Sequence, residues 1–217
     1  MKKAIVLLSG GLDSATTLYV AKKKGYKVSC LIFDYGQRHK KEVKCAVRIA
    51  KLAKCKYKIL NINLPWKGSA LLDRKICIPK STQTGIPVTY VPARNTIFLS
   101  FALSFAEAVG ARHIFIGANA VDFSGYPDCR PNYYKAFNKL SRLATKAGAE
   151  NKAIQVHAPL IKKAKKEIIL LAKKLRVPLR LTWSCYKGGK KPCGLCDSCK
   201  LRSKGFIKAK IGDPIHG

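Results

Sequence analysis

The stretch that most constrains the fold is Ser-Gly-Gly-Leu-Asp-Ser at residues 9–14, which directly follows an apolar segment typical of a β-strand, residues 4–8. Gly10 and Gly11 lack the Cβ atoms that would hold an anion away from the backbone, and they permit the positive φ angles of a tight turn. The sequence therefore predicts a strand followed by an anion-binding loop.

A helix is predicted directly after this loop. Apolar residues follow helical spacing up to Lys22-Lys23-Lys24, and Gly25 then favours a helix end. Ser14 or Asp13 is expected to cap the N-terminus of this helix. A nucleotide phosphate at that end would be stabilised by free N–H groups and by the helix dipole.

The loop fits neither common phosphate-binding motif, because it lacks the lysine of the Walker motif and the spacing of the dinucleotide fingerprint. It instead resembles the PP-loop of N-type ATP pyrophosphatases, which implies cleavage of ATP to AMP and pyrophosphate. The alternative is a simple Gly-Gly turn between a strand and a capped helix. We assign ATP binding to Leu8, Ser9, Gly10, Gly11, Leu12, Asp13, Ser14, Ala15, Thr16, Thr17 and Leu18, with Asp13 as a catalytic residue that positions Mg²⁺.

The composition limits which partners and which cellular compartment the chain is expected to have. Among 217 residues there are 43 Lys and Arg but 11 Asp and Glu, which gives a formal charge of +32. The lysines are spread along the chain, so a general lysine bias explains them as well as a polyanionic partner does, and we expect no obligate nucleic acid. The odd number of cysteines, 9, argues against a secreted disulfide framework. We expect a cytoplasmic protein without membrane contact, with a homodimer as the candidate assembly.

Strands and helices alternate after the loop. Strands are predicted at 28–33, 57–62, 113–116 and 154–157, with helices at 37–54, 131–146 and 163–175. This pattern predicts the α/β class, a doubly wound and mainly parallel sheet. Ligands of such sheets lie beyond the carboxyl ends of strands. We therefore expect Asp34 to bind a ribose hydroxyl and Tyr35 to stack on adenine, with a simple turn as the alternative.

Residues 63–92 interrupt the alternation with four prolines, and their apolar residues predict an ordered excursion over the active site. A helix over 93–109 is apolar almost all round, so we expect it to be buried. Arg94 in its first turn would point at an anion and stabilise developing negative charge.

A loop at 117–130 follows the fourth strand and carries side chains suited to a flat heterocycle. A carboxylate can accept both N–H groups of a guanine-like edge, aromatic rings can stack on it, and an arginine can pair with a carboxylate or phosphate. The alternative is a surface turn. The candidate substrate residues are Asp122, Phe123, Tyr126, Asp128 and Arg130.

Four cysteines near the C-terminus have the spacing C-x7-C-x2-C-x2-C: Cys185, Cys193, Cys196 and Cys199. This spacing suits tetrahedral thiolate ligation of Zn²⁺, and full ligation by cysteine leaves no open position, which predicts a structural role. An iron–sulfur cluster and four unrelated buried cysteines are the alternatives.

Taken in order, six motifs resemble the 7-cyano-7-deazaguanine synthase family, from residue 8 to residue 214: SGGLDS, FDYGQRH, VPARN, DFSGYPDCR, TWSCY and PCGLCDSC. The resemblance implies a PP-loop, a cysteine-bound zinc, and conversion of 7-carboxy-7-deazaguanine, ATP and ammonia to the nitrile. Asn119-Ala120-Val121 depart from the Cys-Glu-Thr of the family. We expect an ATP-binding domain at 1–180 and a zinc-binding segment at 181–217.

The chemistry requires the substrate carboxylate to be adenylated, converted to an amide by ammonia, and adenylated again before the nitrile forms. His39 is the candidate base, because its ordinary pKa lies near neutrality, and a solvated position at a helix start is its alternative. Two other functions stay open. One is a PP-loop tRNA thiolase, for which Cys129 is the plausible sulfur carrier, and the other is a basic RNA-binding zinc protein without catalysis.

Overall fold

The structure is a computed structural model that describes residues 1–79, 85–120 and 125–215. Its sheet has five parallel strands in the order β3-β2-β1-β4-β5. The strands are β1 (Lys3–Leu7), β2 (Lys27–Asp34), β3 (Lys56–Asn61), β4 (His113–Phe115) and β5 (Gln155–His157). The predicted doubly wound parallel sheet is confirmed.

The helices lie on both faces of this sheet. They are α1 (Leu12–Lys23), α2 (Lys41–Leu52), α3 (Arg94–Ala108), α4 (Pro131–Ala144), α5 (Lys146–Ala149), α6 (Lys165–Lys174) and α7 (Asp197–Ala209), with 3-10 turns at Pro127–Cys129 and Leu179–Leu181. One apolar core lies between the sheet and α1, α2, α6 and α7. A second core lies between the opposite face and α3 and α4.

Sequence patterns located these elements well, but three expectations are wrong. Helix α2 begins at Lys41 rather than residue 37. Helix α3 is not buried all round, since Phe101 is 42% exposed. The N-cap of α1 is Gly11, without a side-chain capping bond, so neither Ser14 nor Asp13 caps that helix.

Helix α7 packs against α6 and was absent from the sequence-based prediction. Gly205 makes this packing close, because a Cβ atom there would lie 2.5 Å from Lys165 Cγ and 2.9 Å from Ile169 Cδ1. Phe206 and Ala209 complete the core on this face. The C-terminal segment therefore shares an apolar core with the α/β domain.

The excursion at residues 63–92 is ordered where the structure describes it, and Arg38 holds it in place. The Arg38 guanidinium donates to the carbonyl oxygens of Ala70, Asp73 and Ile76, and its backbone N–H donates to Leu71 at 3.1 Å. Two residues of the excursion, Leu71 and Thr89, line the central cavity. None of the described helices has the length and apolar character needed to cross a bilayer.

Candidate active site

A cavity opens at the carboxyl edge of the sheet, where the loop after β1 meets the loops after β2 and β4. Its floor includes Leu8, Ser9, Gly11 and residues 12–14. Gly117, from the loop after β4, packs so tightly on this floor that a Cβ atom there would lie 2.8 Å from Ser14 N. The strand order thus brings the predicted anion-binding loop to the site where ligands of such sheets bind.

The loop is held by its own hydroxyl groups and presents free backbone donors. The Ser14 hydroxyl donates to Gly11 O at 3.1 Å and accepts from Ser9 N at 3.2 Å, and Gly11 N donates to Ser9 Oγ at 3.3 Å. The first intrahelical bond runs from Ala15 N to Gly11 O. Within the described residues, the N–H groups of residues 12–14 have no acceptor, as expected for a first helical turn.

Gly10 joins this loop to two other parts of the fold. Its φ is +85°, and a Cβ atom there would lie 2.3 Å from Glu42 O and 2.8 Å from Ala46 N of α2. Its carbonyl oxygen accepts the backbone N–H of Trp183 at 2.9 Å. The conformation of the loop is therefore fixed by the start of α2 and by the segment that leads to the cysteines.

Asp13 sits at the centre of a polar cluster on the cavity wall. Its Oδ2 accepts from Lys165 Nζ at 2.7 Å and from Asn119 Nδ2 at 3.0 Å. Its Oδ1 is buried without a hydrogen-bond partner among the described residues. One carboxylate oxygen is thus occupied, and the other remains available to a cation or a donor.

Tyr35 and Arg94 line the same cavity as Asp13. The Tyr35 ring is 7% exposed and meets Phe98 edge-on at a centroid distance of 5.2 Å. Arg94 Nη1 donates to the Tyr35 hydroxyl at 3.3 Å. Burial raises the pKa of Tyr35, so its hydroxyl stays protonated at neutral pH. The wall therefore offers one aromatic face and one guanidinium to a ligand.

Glu42, in the first turn of α2, also lines the cavity. Burial raises the pKa of its carboxyl to about 7, although the nearby positive charge of Arg94 lowers it. Sequence reasoning placed Glu42 inside a helix and missed it, because only the tertiary fold brings α2 beside the loop after β1. Lys165 and Asn119 were missed for the same reason.

Several predicted site residues do not reach the cavity. Ala15, Thr16, Thr17 and Leu18 are fully buried behind the first turn of α1, because the sheet covers one side of this helix and α6 covers another. Asp34 does not line the cavity and pairs with Lys40 Nζ at 2.8 Å.

His39 lies beside the cysteines instead of lining the cavity. Its Nε2 is 2.9 Å from the carbonyl oxygen of Cys185, and burial lowers its pKa. A Cβ atom on Gly188 would lie 2.2 Å from His39 Cγ, so the ring packs closely on the cysteine loop. This geometry supports a structural contact for His39 and does not support its assignment as the base.

The predicted substrate residues divide into three groups. Tyr126 lines the cavity, and its hydroxyl is 3.1 Å from Thr89 Oγ1. Asp128 is 7% exposed and accepts the Asn95 backbone N–H at 3.0 Å, so its carboxylate satisfies the start of α3 instead of facing a ligand. Arg130 is exposed outside the cavity lining, and Asp122 and Phe123 lie outside the described residues.

The four C-terminal cysteines form one cluster. Their sulfur atoms all lie within 4.8 Å of one another, and Cys185, Cys196 and Cys199 are buried. Four sulfurs at ~2.3 Å from a tetrahedral ion would be roughly 3.8 Å apart, so a small contraction would complete the ligand set. Backbone N–H groups of Cys193 and Cys196 donate to Cys185 Sγ and Cys193 Sγ at 3.4 Å, which favours thiolate charge. The cluster can hold a metal ion.

Besides His39, two residues attach this cluster to the rest of the molecule, Lys41 and Trp183. The Lys41 ammonium lies 3.5 Å from the centroid of the Trp183 ring and donates to the Gly189 and Lys190 carbonyls at 2.7 and 2.8 Å. Trp183 Nε1 donates to the carbonyl oxygen of Cys185 at 2.9 Å. The cysteine cluster is therefore linked through Trp183 to Gly10 and the anion-binding loop.

A buried ion pair holds the end of the chain against the same segment. The Arg202 guanidinium, 1% exposed, binds both carboxylate oxygens of Asp213 at 2.7 and 2.9 Å. It also donates to Thr182 Oγ1 at 2.8 Å. Since Arg202 lines the cavity as well, this pair positions the wall contributed by α7.

Comparison with known proteins identifies the family. A family model described as QueC, queuosine biosynthesis protein QueC, matches residues 3–210. The 7-cyano-7-deazaguanine synthase of Dechloromonas aromatica (strain RCB) is 53% identical over 219 residues, which span 99% of this chain and 97% of that protein.

Solved structures of other proteins share the fold. NMN synthetase from Francisella tularensis superposes with a TM-score of 0.52 at 16% identity, covering 97% of this chain and 78% of that one. A 4-thiouridine synthetase, solved with RNA and bound ATP, gives 0.51 at 20% identity and covers 95% and 53%. From the family model and the full-length identity it follows that the chain belongs to the 7-cyano-7-deazaguanine synthase family, whose sequence model carries the name QueC.

Proposed function

We propose that this chain converts 7-carboxy-7-deazaguanine, ATP and ammonia to 7-cyano-7-deazaguanine, as an ATP-dependent carbon–nitrogen ligase. One observation carries the proposal at the site. A loop with free backbone N–H groups and a wall with an aromatic ring and a guanidinium face the same cavity. Pyrophosphate release and adenylation of a planar acid require such a pair of surfaces.

The loop after β1 would hold the ATP phosphates. The N–H groups of residues 12–14 lie at the N-terminus of α1, the positive end of its dipole, which stabilises anions. Lys165 adds a cation on the same side, and the free Oδ1 of Asp13 fits a role as a Mg²⁺ ligand. Tyr35 would stack on the adenine, and Arg94 would offset charge that develops in the transition state.

The acid is a poor electrophile, so the reaction is proposed to pass through two adenylations. Transfer of AMP to the carboxylate oxygen gives an acyl adenylate, and ammonia displaces AMP to form the amide. A second AMP transfer to the amide oxygen releases pyrophosphate while the nitrogen loses one proton, and loss of AMP together with the remaining N–H proton gives the nitrile. Each nitrile would then consume two ATP and yield AMP and pyrophosphate.

Zinc is the proposed metal of the cysteine cluster, because four thiolates in a closed tetrahedral set suit a structural Zn²⁺. Bound there, zinc would supply folding energy and leave the chemistry to the cavity. Zinc binding requires the four cysteines to be reduced, and this requirement supports the cytoplasm as the compartment. A homodimer and the absence of an obligate nucleic-acid partner stay predictions.

The test is mass spectrometry of products formed from 7-carboxy-7-deazaguanine, ATP and ammonium. We expect the nitrile with AMP and pyrophosphate, and conversion of supplied amide in an ATP-dependent reaction. ADP and phosphate, or an amide that is never converted, would refute the double adenylation. A sulfur-containing product would instead favour the thiolase, for which Cys129 lines the cavity with Sγ 3.1 Å from Asn95 Nδ2.

A further inference from the structure

Glu42 differs from the other acids near the cavity because, within the described residues, neither of its two carboxylate oxygens is paired. In the described parts of the chain it accepts no hydrogen bond and forms no ion pair. Asp13 Oδ2 accepts hydrogen bonds from Lys165 and Asn119, and Asp34 Oδ2 pairs with Lys40. A free carboxylate that lines the cavity is poised to accept a proton from a ligand.

We propose that Glu42 is the catalytic base that removes the nitrogen-bound protons on the way to the nitrile. This inference rests on the proposed function, which requires a base at these steps. The position suits the role, because the backbone of Glu42 packs against Gly10 of the phosphate loop, while its carboxyl lines the same cavity as Arg94 and interacts with the charge of that guanidinium. An adenylated carbon bound between the phosphate loop and Arg94 would be within the same cavity as the carboxylate.

The protons can be followed through each bond change. When ammonia attacks the acyl adenylate, the C–N bond forms, AMP leaves with the C–O electron pair, and the nitrogen passes a proton to Glu42. When the amide oxygen attacks the second ATP, pyrophosphate leaves and the nitrogen loses a proton. Loss of the last N–H proton to the base then drives out AMP and completes the C≡N bond. Glu42 returns each proton to water.

The electrostatic surroundings tune this carboxyl for the task. Burial raises its pKa to about 7, the Arg94 guanidinium opposes that rise, and the Cys185 sulfur adds to it. Tyr35 lines the same cavity and interacts electrostatically with Glu42, and Cys45 is its titratable neighbour on α2. A base with a pKa near the working pH is both deprotonated and strong enough to take a proton.

Replacement of the carboxylate by an amide separates this role from binding. Adenylation of a carboxylate moves no proton, so Glu42→Gln should retain carboxylate-dependent ATP–pyrophosphate exchange within a few-fold. Nitrile formation should fall by roughly 10²–10⁴-fold, the usual contribution of a general base. Wild-type nitrile formation should decline as the pH drops below about 7, and Glu42→Gln should lose this ionisation.

Two further variants keep the test decisive. Glu42→Asp retains a titratable group and should recover part of the rate together with the pH dependence. Glu150→Gln, at an exposed surface acid, serves as the matched control and should match the wild type in both assays. Melting temperatures establish that each variant is folded, which is expected for Glu42→Gln because no hydrogen bond is lost.

The outcomes are distinct. Equal loss of exchange and of nitrile formation in Glu42→Gln, or unchanged nitrile formation, would overturn the assignment of the base. Wild-type protein without any carboxylate-dependent exchange would instead overturn the proposed function itself.

Discussion

At the scale of single residues, Gly10 requires glycine for two reasons, its backbone conformation and its close packing. Its φ of +85° favours glycine, and the atoms that a Cβ would meet are backbone atoms of α2, Glu42 O at 2.3 Å and Ala46 N at 2.8 Å. Backbone atoms cannot rotate away as a side chain can. The close approach of the loop to α2 therefore depends on the absence of a Cβ atom at residue 10.

Gly10→Ala should consequently lower the free energy of unfolding by more than the cost of the left-handed backbone conformation alone. Gly36 is the matched control, because its φ is +79° and a Cβ there would meet nothing within 4 Å. We expect Gly36→Ala to cost about 1–2 kcal/mol of unfolding free energy from the left-handed conformation. Gly10→Ala should cost roughly 1–3 kcal/mol more through overpacking. Equal losses in urea denaturation would show that the contact with α2 carries no strain.

Some site residues could be predicted from the sequence and others could not. The physical reason is how far apart the interacting residues lie along the chain. Residues 9–14 form a contiguous loop whose chemistry is local, so their pattern alone indicates an anion site. Asn119 and Lys165 lie 106 and 152 residues from Asp13 along the chain, and only the sheet order brings them together. Asp128 was predicted to bind substrate. The sequence could not show that its carboxylate accepts the Asn95 N–H, because that contact forms only in the folded chain.

At the scale of elements, the cysteine segment and the anion-binding loop behave as one unit. Trp183 donates from its backbone to Gly10 O and from its indole to Cys185 O, both at 2.9 Å. A displacement of the cysteine loop would therefore be transmitted to the loop that binds phosphates. Metal binding is expected to affect both stability and nucleotide affinity.

Cys196→Ser tests this link. Loss of one thiolate from the set should release the metal, because closed four-cysteine sites depend on every ligand. We expect at least about 2 kcal/mol of lost stability, roughly 4–8 °C in melting temperature for a chain of this size, and a raised KM for ATP. Cys77→Ser, at an exposed cysteine outside the cluster, is the control and should change neither metal content nor KM. Stoichiometric metal in Cys196→Ser, measured by elemental analysis, would contradict the assignment of this ligand.

The strands β4 and β5 carry a pair of histidines that makes folding sensitive to pH. His113 Nδ1 and His157 Nε2 are 3.0 Å apart, which accommodates one shared proton. Burial lowers the pKa of both rings, and the neighbouring His113 helps to bring that of His157 to about 4. His157 is therefore neutral in the folded protein at mildly acidic pH, while in the unfolded chain it takes up a proton below its ordinary pKa of about 6.5.

Stability should accordingly fall as the pH is lowered from about 6.5 towards about 4, since the unfolded state binds more protons in that range. His157→Gln should reduce this fall by on the order of 1 kcal/mol, a value that allows for solvent screening of a half-exposed ring. The measurement is the unfolding free energy of both proteins across this range, so that titrating carboxylates cancel. Parallel curves would show that the histidine pair does not contribute.

At the scale of the whole molecule, alternating strands and helices were enough to predict the fold class, because the period of apolar residues differs between buried strands and helices. The C-terminal helix escaped prediction. Its sequence, DSCKLRSKGFIKA, contains a glycine and three lysines. Its apolar residues gain their packing when the helix lies against α6 in the folded chain. Packing rather than local propensity thus determines this element, and the same packing joins the cysteine segment to the α/β core.

The charge balance is a second property of the whole molecule. The chain has 43 Lys and Arg but 11 Asp and Glu, so even complete pairing with acids would leave 32 cations unpaired. Among the described residues, Lys165, Arg202 and three exposed or partly exposed lysines form ion pairs. Mutual repulsion of the remaining charges destabilises the compact state more than the expanded one.

Added salt should therefore stabilise this protein, in contrast to proteins held together by surface ion pairs. The Debye length shrinks from about 10 Å at 0.1 M to 3 Å at 1 M, so repulsion between neighbouring lysines is largely screened at high salt. We expect the unfolding free energy to rise steadily with NaCl at constant pH. LiCl and KCl at the same ionic strength are the controls, because screening depends on ionic strength and not on which cation supplies it. A flat or falling dependence, measured by urea denaturation at each salt concentration, would mean that repulsion is already relieved in the folded chain.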